Sequence, residues 1–206
     1  MKIISVREMS PLAGKETVME ERLRRASGVM ARHGAASRIF KIGGGAGAGN
    51  YLLMNLYSSF SDASSSFQKY SADPELAKLF MERALNPAGD ITGPDLWRSV
   101  YGDPPAKPAT ILINRAYHVP RAKVQDMLAM APELETLFKK VDVSIGAAMP
   151  VIAADHEMMA ITYRFNSMDH MGSALDTMVE NKDFQDLITK ANEIGTLKMS
   201  RILSSM

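Results

Sequence analysis

The chain is written twice, and that repetition constrains its fold more than any other feature. A strand-helix-strand-strand-helix-strand pattern starts near Lys2 and starts again near Ala109. In the first copy Ile3–Met9 runs through Pro11 into a helix, and Ser37–Ile42 with Tyr51–Tyr57 reads as a hairpin. Phe67 to Leu85 is then helical, and Leu96–Tyr101 closes the unit. The second copy repeats this with Ile111–His118, Pro120, Val141–Ile145, Met158–Phe165, Leu175 to Ile194 and Leu197–Leu203. Matched segments lie about 105 to 109 residues apart, the first strands by about 109, with length changes confined to loops, as in a duplicated supersecondary unit.

The 206 residues therefore divide into unit 1 at 1–102, a proline-rich linker at 103–108 and unit 2 at 109–206. Either unit alone has a thin core, so packing on the other adds stability. Facing sheets would also leave no strand edge open to aggregation. In the first helix Met19, Leu23, Ala26 and Met30 recur at helical spacing, and Val124, Met127, Leu128, Ala131, Leu134 and Phe138 repeat that stripe. Both long helical regions carry an interruption. Asp73 before Pro74 is an N-cap followed by a helix-starting proline, and Lys182-Asp183-Phe184 marks the matching break. Asn86–Pro94 reads as an irregular loop.

Composition narrows function mainly by exclusion. The net charge is +1 with both signs interspersed, which argues against a nucleic-acid groove or an anionic-membrane patch. With no cysteine there is no disulfide, iron–sulfur cluster or thiol catalysis. No apolar run suits a signal peptide or a membrane span, so the expectation is a cytoplasmic protein. The run Gly43–Gly49 suggests a phosphate loop, but a strand follows it rather than a helix, so a mobile hairpin loop is the better reading. His33, His118, His156 and His170 are too scattered for a metal signature, and no metal site is expected.

The candidate site residues are few. Leu112, Asn114, Ala116 and His118 alternate onto one face of the fifth strand, a polar pair on an otherwise apolar face. With Tyr163 on a neighbouring strand, Asn114 and His118 are the candidate catalytic residues, which makes copy two the more polar cleft. Copy one, with Ser5, Met9 and Tyr57 at the matching places, reads as its structural partner. Tyr57, Trp97 and Tyr101 are candidates to line an apolar pocket, the last two from one face of their strand.

The doubled pattern, the glycine-rich hairpin in Ile42–Tyr51, Ser59-Phe60-Ser61-Asp62-Ala63 and Asp73-Pro74-Glu75-Leu76 together resemble the dimeric α/β-barrel superfamily. That group includes antibiotic-biosynthesis monooxygenase-like, stress-responsive barrel and NIPSNAP-like families. The resemblance implies an α+β fold of tandem ferredoxin-like units whose antiparallel sheets pair into a barrel, an intramolecular pseudo-dimer, with further homo-oligomerisation left open. It also implies a small apolar or aromatic ligand, bound between a sheet and its own helices. Two functions remain open, a cofactor-independent monooxygenase-like enzyme and a non-catalytic binding or stress-responsive protein. Neither needs a cofactor. Haem binding is a disfavoured third, because haem-degrading relatives use a first-strand Asn, a third-strand Trp and a helical His. This chain offers Asn114, has Tyr163 in place of Trp, and has no histidine around Lys182–Ile188.

Overall fold

Alternation along β1 (Ile3–Pro11) turns Ile3, Ser5 and Met9 toward one face, where α1 (Glu16–Arg32) covers them. In the computed structural model, which describes residues 1–206, the first half continues with β2 (Ala36–Gly45), β3 (Tyr51–Tyr57), α2 (Phe60–Ser71), α3 (Pro74–Leu85) and β4 (Gly89–Tyr101). The second half has β5 (Ile111–His118), a 3₁₀ turn at Arg121–Lys123, α4 (Val124–Ala129), α5 (Ala131–Lys139) and β6 (Ser144–Ile152). It ends with β7 (Met158–Phe165), α6 (Met168–Glu180), α7 (Lys182–Ile194) and β8 (Thr196–Ser205). No helix is long and apolar enough to cross a membrane.

The eight strands close into one antiparallel barrel in the order β1-β3-β2-β8-β5-β7-β6-β4. Within each half the order is that of a ferredoxin-like sheet, and the two sheets meet along β2–β8 and β4–β6. Helices pack outside. The inside is narrow enough for side chains to fill, and Phe40, Ile42, Leu52, Leu112 and Leu203 form its core. A larger cluster around Leu23, Val29, Met30 and Leu53 lies under the helices of the first half, and one around Phe138, Tyr163, Phe165 and Met178 under those of the second.

Both interruptions are real helix breaks. The Asp73 carboxylate accepts from the Glu75 amide at 2.9 Å to start α3, and Asn181 accepts from the Phe184 amide at 2.9 Å to start α7. The stripe from Val124 to Phe138 is less regular than expected. Pro132 has no amide to donate and its ring clashes with the preceding turn, so the chain divides into α4 and α5.

Four expectations are corrected. The segment 86–94 is not all loop, since β4 begins at Gly89 and pairs with β1 from Pro11 to Glu8. The residues before Leu96 have no β6 partner, and such an edge tolerates Pro94. The strand expected at Val141–Ile145 instead runs from Ser144 to Ile152, because its far half pairs with β4 across the seam.

The glycine run is loop only in its second part, since Ala46–Gly49 form the hairpin turn while Gly43–Gly45 belong to β2. Ile42, Gly44 and Gly45 pair with Leu203, Ile202 and Arg201 of β8. At φ +81° Gly45 adopts a backbone that L-residues rarely occupy, and a Cβ there would collide with the Ser200 carbonyl. Finally, the halves are offset by 108 residues in the first and third strands, not 109. Ile3 pairs with Tyr57 as Ile111 pairs with Phe165, so Arg7 corresponds to Arg115 and Met9 to Tyr117.

Gly45→Ala should cost more than about 1 kcal/mol, because it strains the backbone and opens a seam. Gly43→Ala, whose added Cβ meets nothing nearer than the Ser204 hydroxyl at 4.0 Å, should be far milder. Thermal melting of the two variants checks the contrast, and equal losses would contradict the seam assignment.

Candidate functional site

A cavity of about 460 Å³ lies between the first sheet and α1–α3. Its floor is β1 and β3, where side-chain alternation presents Arg7, Met9 and Leu53. Met19, Leu23, Ala26 and Met30 of α1 form one wall, the face set by their helical spacing. Leu76, Leu79 and Phe80 of α3 form the other, and Phe67 and Tyr70 of α2 close an end.

The polar groups of this cavity are few. Arg7 Nη2 donates to Tyr70 Oη at 3.2 Å, and Nη1 lies 3.5 Å from Ser5 Oγ. Tyr57 is buried close by but lines a separate groove beside His33 and Ser66. Burial pushes the Tyr57 phenol above its ordinary pKa, with Tyr70 adding to the shift and Arg7 opposing it, so this hydroxyl keeps its proton at neutral pH.

α3 packs on α1 and α2 and is held by charge. Arg25 bonds both Glu82 oxygens, at 2.7 and 2.9 Å, and also Glu75, while Arg22 donates to the carbonyls of Asn86 and Glu82. Hydrogen bonds to both acids raise Arg25 above its ordinary pKa, and that to Arg25 lowers Glu82. At the hinge His33 Nε2 lies 2.8 Å from Asp73 Oδ2, and this contact is the main reason the Asp73 carboxyl titrates below its usual range.

Between the second sheet and its own helices there is no comparable space. The matching cavity is about 50 Å³, filled by Tyr101, Tyr117, Leu128, Leu134 and Tyr163. Tyr163 occupies the position of Asn55, since Ser5 pairs with Asn55 as Ile113 pairs with Tyr163. Its ring packs tilted against Phe138, with centroids 4.8 Å apart, and burial raises its pKa. Tyr101 leans in across the β4–β6 seam and donates to Glu135 at 2.6 Å. The expectation that copy two holds the more polar cleft is thus reversed.

The structure also separates the expected catalytic set. Asn114 and His118 point to the barrel interior and its rim, while Tyr163 points to the helices, because a one-residue offset puts a side chain on the opposite face. Asn114 belongs to an interior polar chain. Its Oδ1 accepts from Arg201 at 3.4 Å and its amide donates to Thr162 at 3.3 Å, while Arg201 pairs with Glu8 at 2.9 Å. His118 pairs with Glu157 at 2.9 Å on the surface.

Trp97 and Tyr101 do not share a face. Trp97 lies opposite Ile4 of β1, and a register shift between Ser99 and Tyr101 turns Tyr101 to the second half's helices. His170 is occupied structurally, bridging the Asn166 amide and the Val141 carbonyl. Sequence reasoning missed Arg7 and Tyr70 as a pair. The available signal was a charged residue between Ile3 and Met9 on a strand face otherwise buried.

No family model matches the sequence, and no curated protein matches it either. Solved structures do match in fold. A proposed monooxygenase from Fusobacterium nucleatum has a TM-score of 0.66 at 9% identity, covering 99% of this chain and 92% of its own. An anthrone oxidase-like protein has 0.64 at 10%, covering 100% and 91%. A heme-binding protein from Thermus thermophilus has 0.53 at 10%, covering 100% and 92%. At such identities the similarity shows the tandem ferredoxin-like barrel and nothing finer.

Arg201→Met should cost about 2 kcal/mol, because Glu8 loses its ion pair but keeps the Asn50 amide and some contact with solvent, and adding Glu8→Gln should recover much of that. Denaturant titration of the single and double variants measures it. The hinge should respond to acid. A carboxyl whose folded pKa is depressed stabilises above its unfolded value and loses that contribution as pH falls through the folded one, so Asp73 and Glu82 predict loosening of α3 below about pH 4. Amide exchange in α3, corrected for intrinsic rates, should rise there before exchange in α1 does.

Proposed function

We propose that the first cleft binds a small apolar or aromatic molecule and that the protein acts on it as a cofactor-independent monooxygenase-like enzyme in the cytoplasm. The observation that carries this is the cavity of about 460 Å³, which lies between a sheet and its own helices and is within the range of small-molecule sites. Residues 1–102 and 109–206 serve in this reading as duplicated units joined by 103–108, the first as the ligand-binding half and the second as its filled partner. Among the six aromatic and polar residues first singled out, Tyr57 stands nearest to this cleft.

Oxygenation without a cofactor draws its electrons from the substrate. A methylene next to a conjugated ring system loses a proton to give a delocalised carbanion, which reduces O₂ and forms a C–O bond. Loss of water from the resulting peroxide leaves a carbonyl, so one oxygen atom enters the product and the other leaves as water. The protein's part is to hold the delocalised anion and exclude solvent, for which Arg7 and Tyr70 supply donors in apolar surroundings.

A second reading, a binding protein without turnover, is favoured by one observation. No carboxylate or imidazole lines the cavity to take the proton. Oxygen uptake with anthrones and quinols separates the two. The enzyme reading expects consumption that falls at least about tenfold in Leu79→Trp, which fills the cleft from α3. Ligand-induced rises in melting temperature without oxygen uptake would favour the binder, and neither response would remove both.

A further inference from the structure

We infer that the first cleft selects its ligand by an acidic oxygen, a carboxylate, phenolate or enolate, received by Arg7. This rests on the reading that the cleft is a ligand site, and it specifies the chemical class.

Three arginines line the cavity, Arg7, Arg22 and Arg83, and no acidic residue does. The three are not equivalent. Arg22 is neutralised in part by Glu82 at 3.8 Å and anchored on two carbonyls, and Arg83 lies exposed at the mouth. Arg7 stands on the floor and makes no ion pair, and its only side-chain partners are the hydroxyls of Tyr70 and Ser5. Withdrawing a guanidinium from water is costly unless an opposite charge or good acceptors compensate it, and elsewhere this protein supplies acids, Glu75 and Glu82 on Arg25 and Glu8 on Arg201, or backbone carbonyls, on Arg38 and Arg164, whereas Arg7 has neither.

The duplication supplies an internal control. Arg115 occupies the same register in the second sheet, and it too makes no ion pair. Its Nε is buried without a hydrogen-bond partner, but the guanidinium carbon lies 5.4 Å from the centre of the Tyr163 ring, whose π face offers a partial substitute for an anion. In the first half Tyr163 is replaced by Asn55, whose amide donates to the Met30 sulfur. Where the second arginine meets an aromatic wall, the first meets open space with apolar sides. A molecule that fills this space and carries an acidic oxygen supplies both missing parts, packing against Leu53, Leu79 and Phe80 and accepting a forked pair of hydrogen bonds from Arg7.

The test compares isosteres that differ in charge. Binding of 2-naphthoate and of neutral 2-naphthamide is measured by calorimetry at pH 7.5 on the wild type and on Arg7→Met, Arg7→Lys, Arg115→Met and Leu79→Trp. The expected result is at least about tenfold preference for naphthoate in the wild type, which a charged hydrogen bond of ordinary strength provides. Arg7→Met should abolish the preference while keeping naphthamide affinity, Arg7→Lys should retain part of it, and Arg115→Met should leave it unchanged. Equal affinity for both probes in the wild type, with both lost in Leu79→Trp, would overturn the acidic-oxygen inference and leave the cleft as a ligand site. Preference that persists in both Arg7 variants would also overturn it. Should neither probe bind the wild type, or should Leu79→Trp change nothing, the cleft reading fails and the inference falls with it.

Discussion

Backbone pairing across two seams, β2 with β8 and β4 with β6, is the constraint from which the rest of this structure follows. A four-stranded ferredoxin-like sheet has two open edges and one uncovered face. Joining two such sheets edge to edge satisfies the edge amides and carbonyls and turns both uncovered faces into a shared interior. The interior then fills with Phe40, Leu52, Leu112 and Leu203, leaving the helices, and any space beneath them, on the outside. Closure within one chain also frees the halves from being identical. In a symmetric dimer a substitution that filled one cleft would fill both.

That freedom shows most clearly at a single pair of positions. Tyr163 faces Phe138 and Arg115 in the second half, while its counterpart Asn55 lies wholly buried beside Met30 in the first. The larger ring, helped by Tyr101 crossing the seam, fills the space under α4 and α5. Under α1 and α3 the space remains. α3 itself buries only Leu76 and Leu79 and exposes Phe80, Met81 and Leu85, so its placement over the cleft depends heavily on the ion pairs of Arg25 and the hinge at Asp73. A wall held this way is easier to displace than one buried in a core, which suits an element that a ligand must pass.

The polar chain inside the barrel is the reverse case. Glu8, Arg201, Asn114 and Thr162 come from four strands of both halves and satisfy one another. Their pairing ties β1 across the barrel interior to β8, β5 and β7. Asn114, the polar residue that stood out on β5, has its hydrogen-bonding capacity spent there, away from either cleft.

Periodicity and repetition were enough to read the doubled unit, its strands and the breaks at Asp73 and around Lys182–Phe184, because local patterns of two and about 3.6 residues and an N-cap are properties of neighbouring residues. The extents of β4 and β6 were not legible, since their outer segments are strands only by virtue of pairing with β1 or across the seam. Nor was the role of Gly43–Gly49, of which Gly44 and Gly45 pair with Ile202 and Arg201 of β8, far along the chain. The site suffered most from this limit. An offset of 108 and one of 109 both align apolar runs convincingly, yet they assign opposite faces to Asn114 and Arg115, and only the paired register distinguishes them. The sequence by itself determined a tandem ferredoxin-like barrel. Which half keeps an open cleft, and that an arginine without an acid stands in it, was decided by tertiary packing, because cavity volume and charge compensation depend on side chains brought together from β1, α1, α2 and α3.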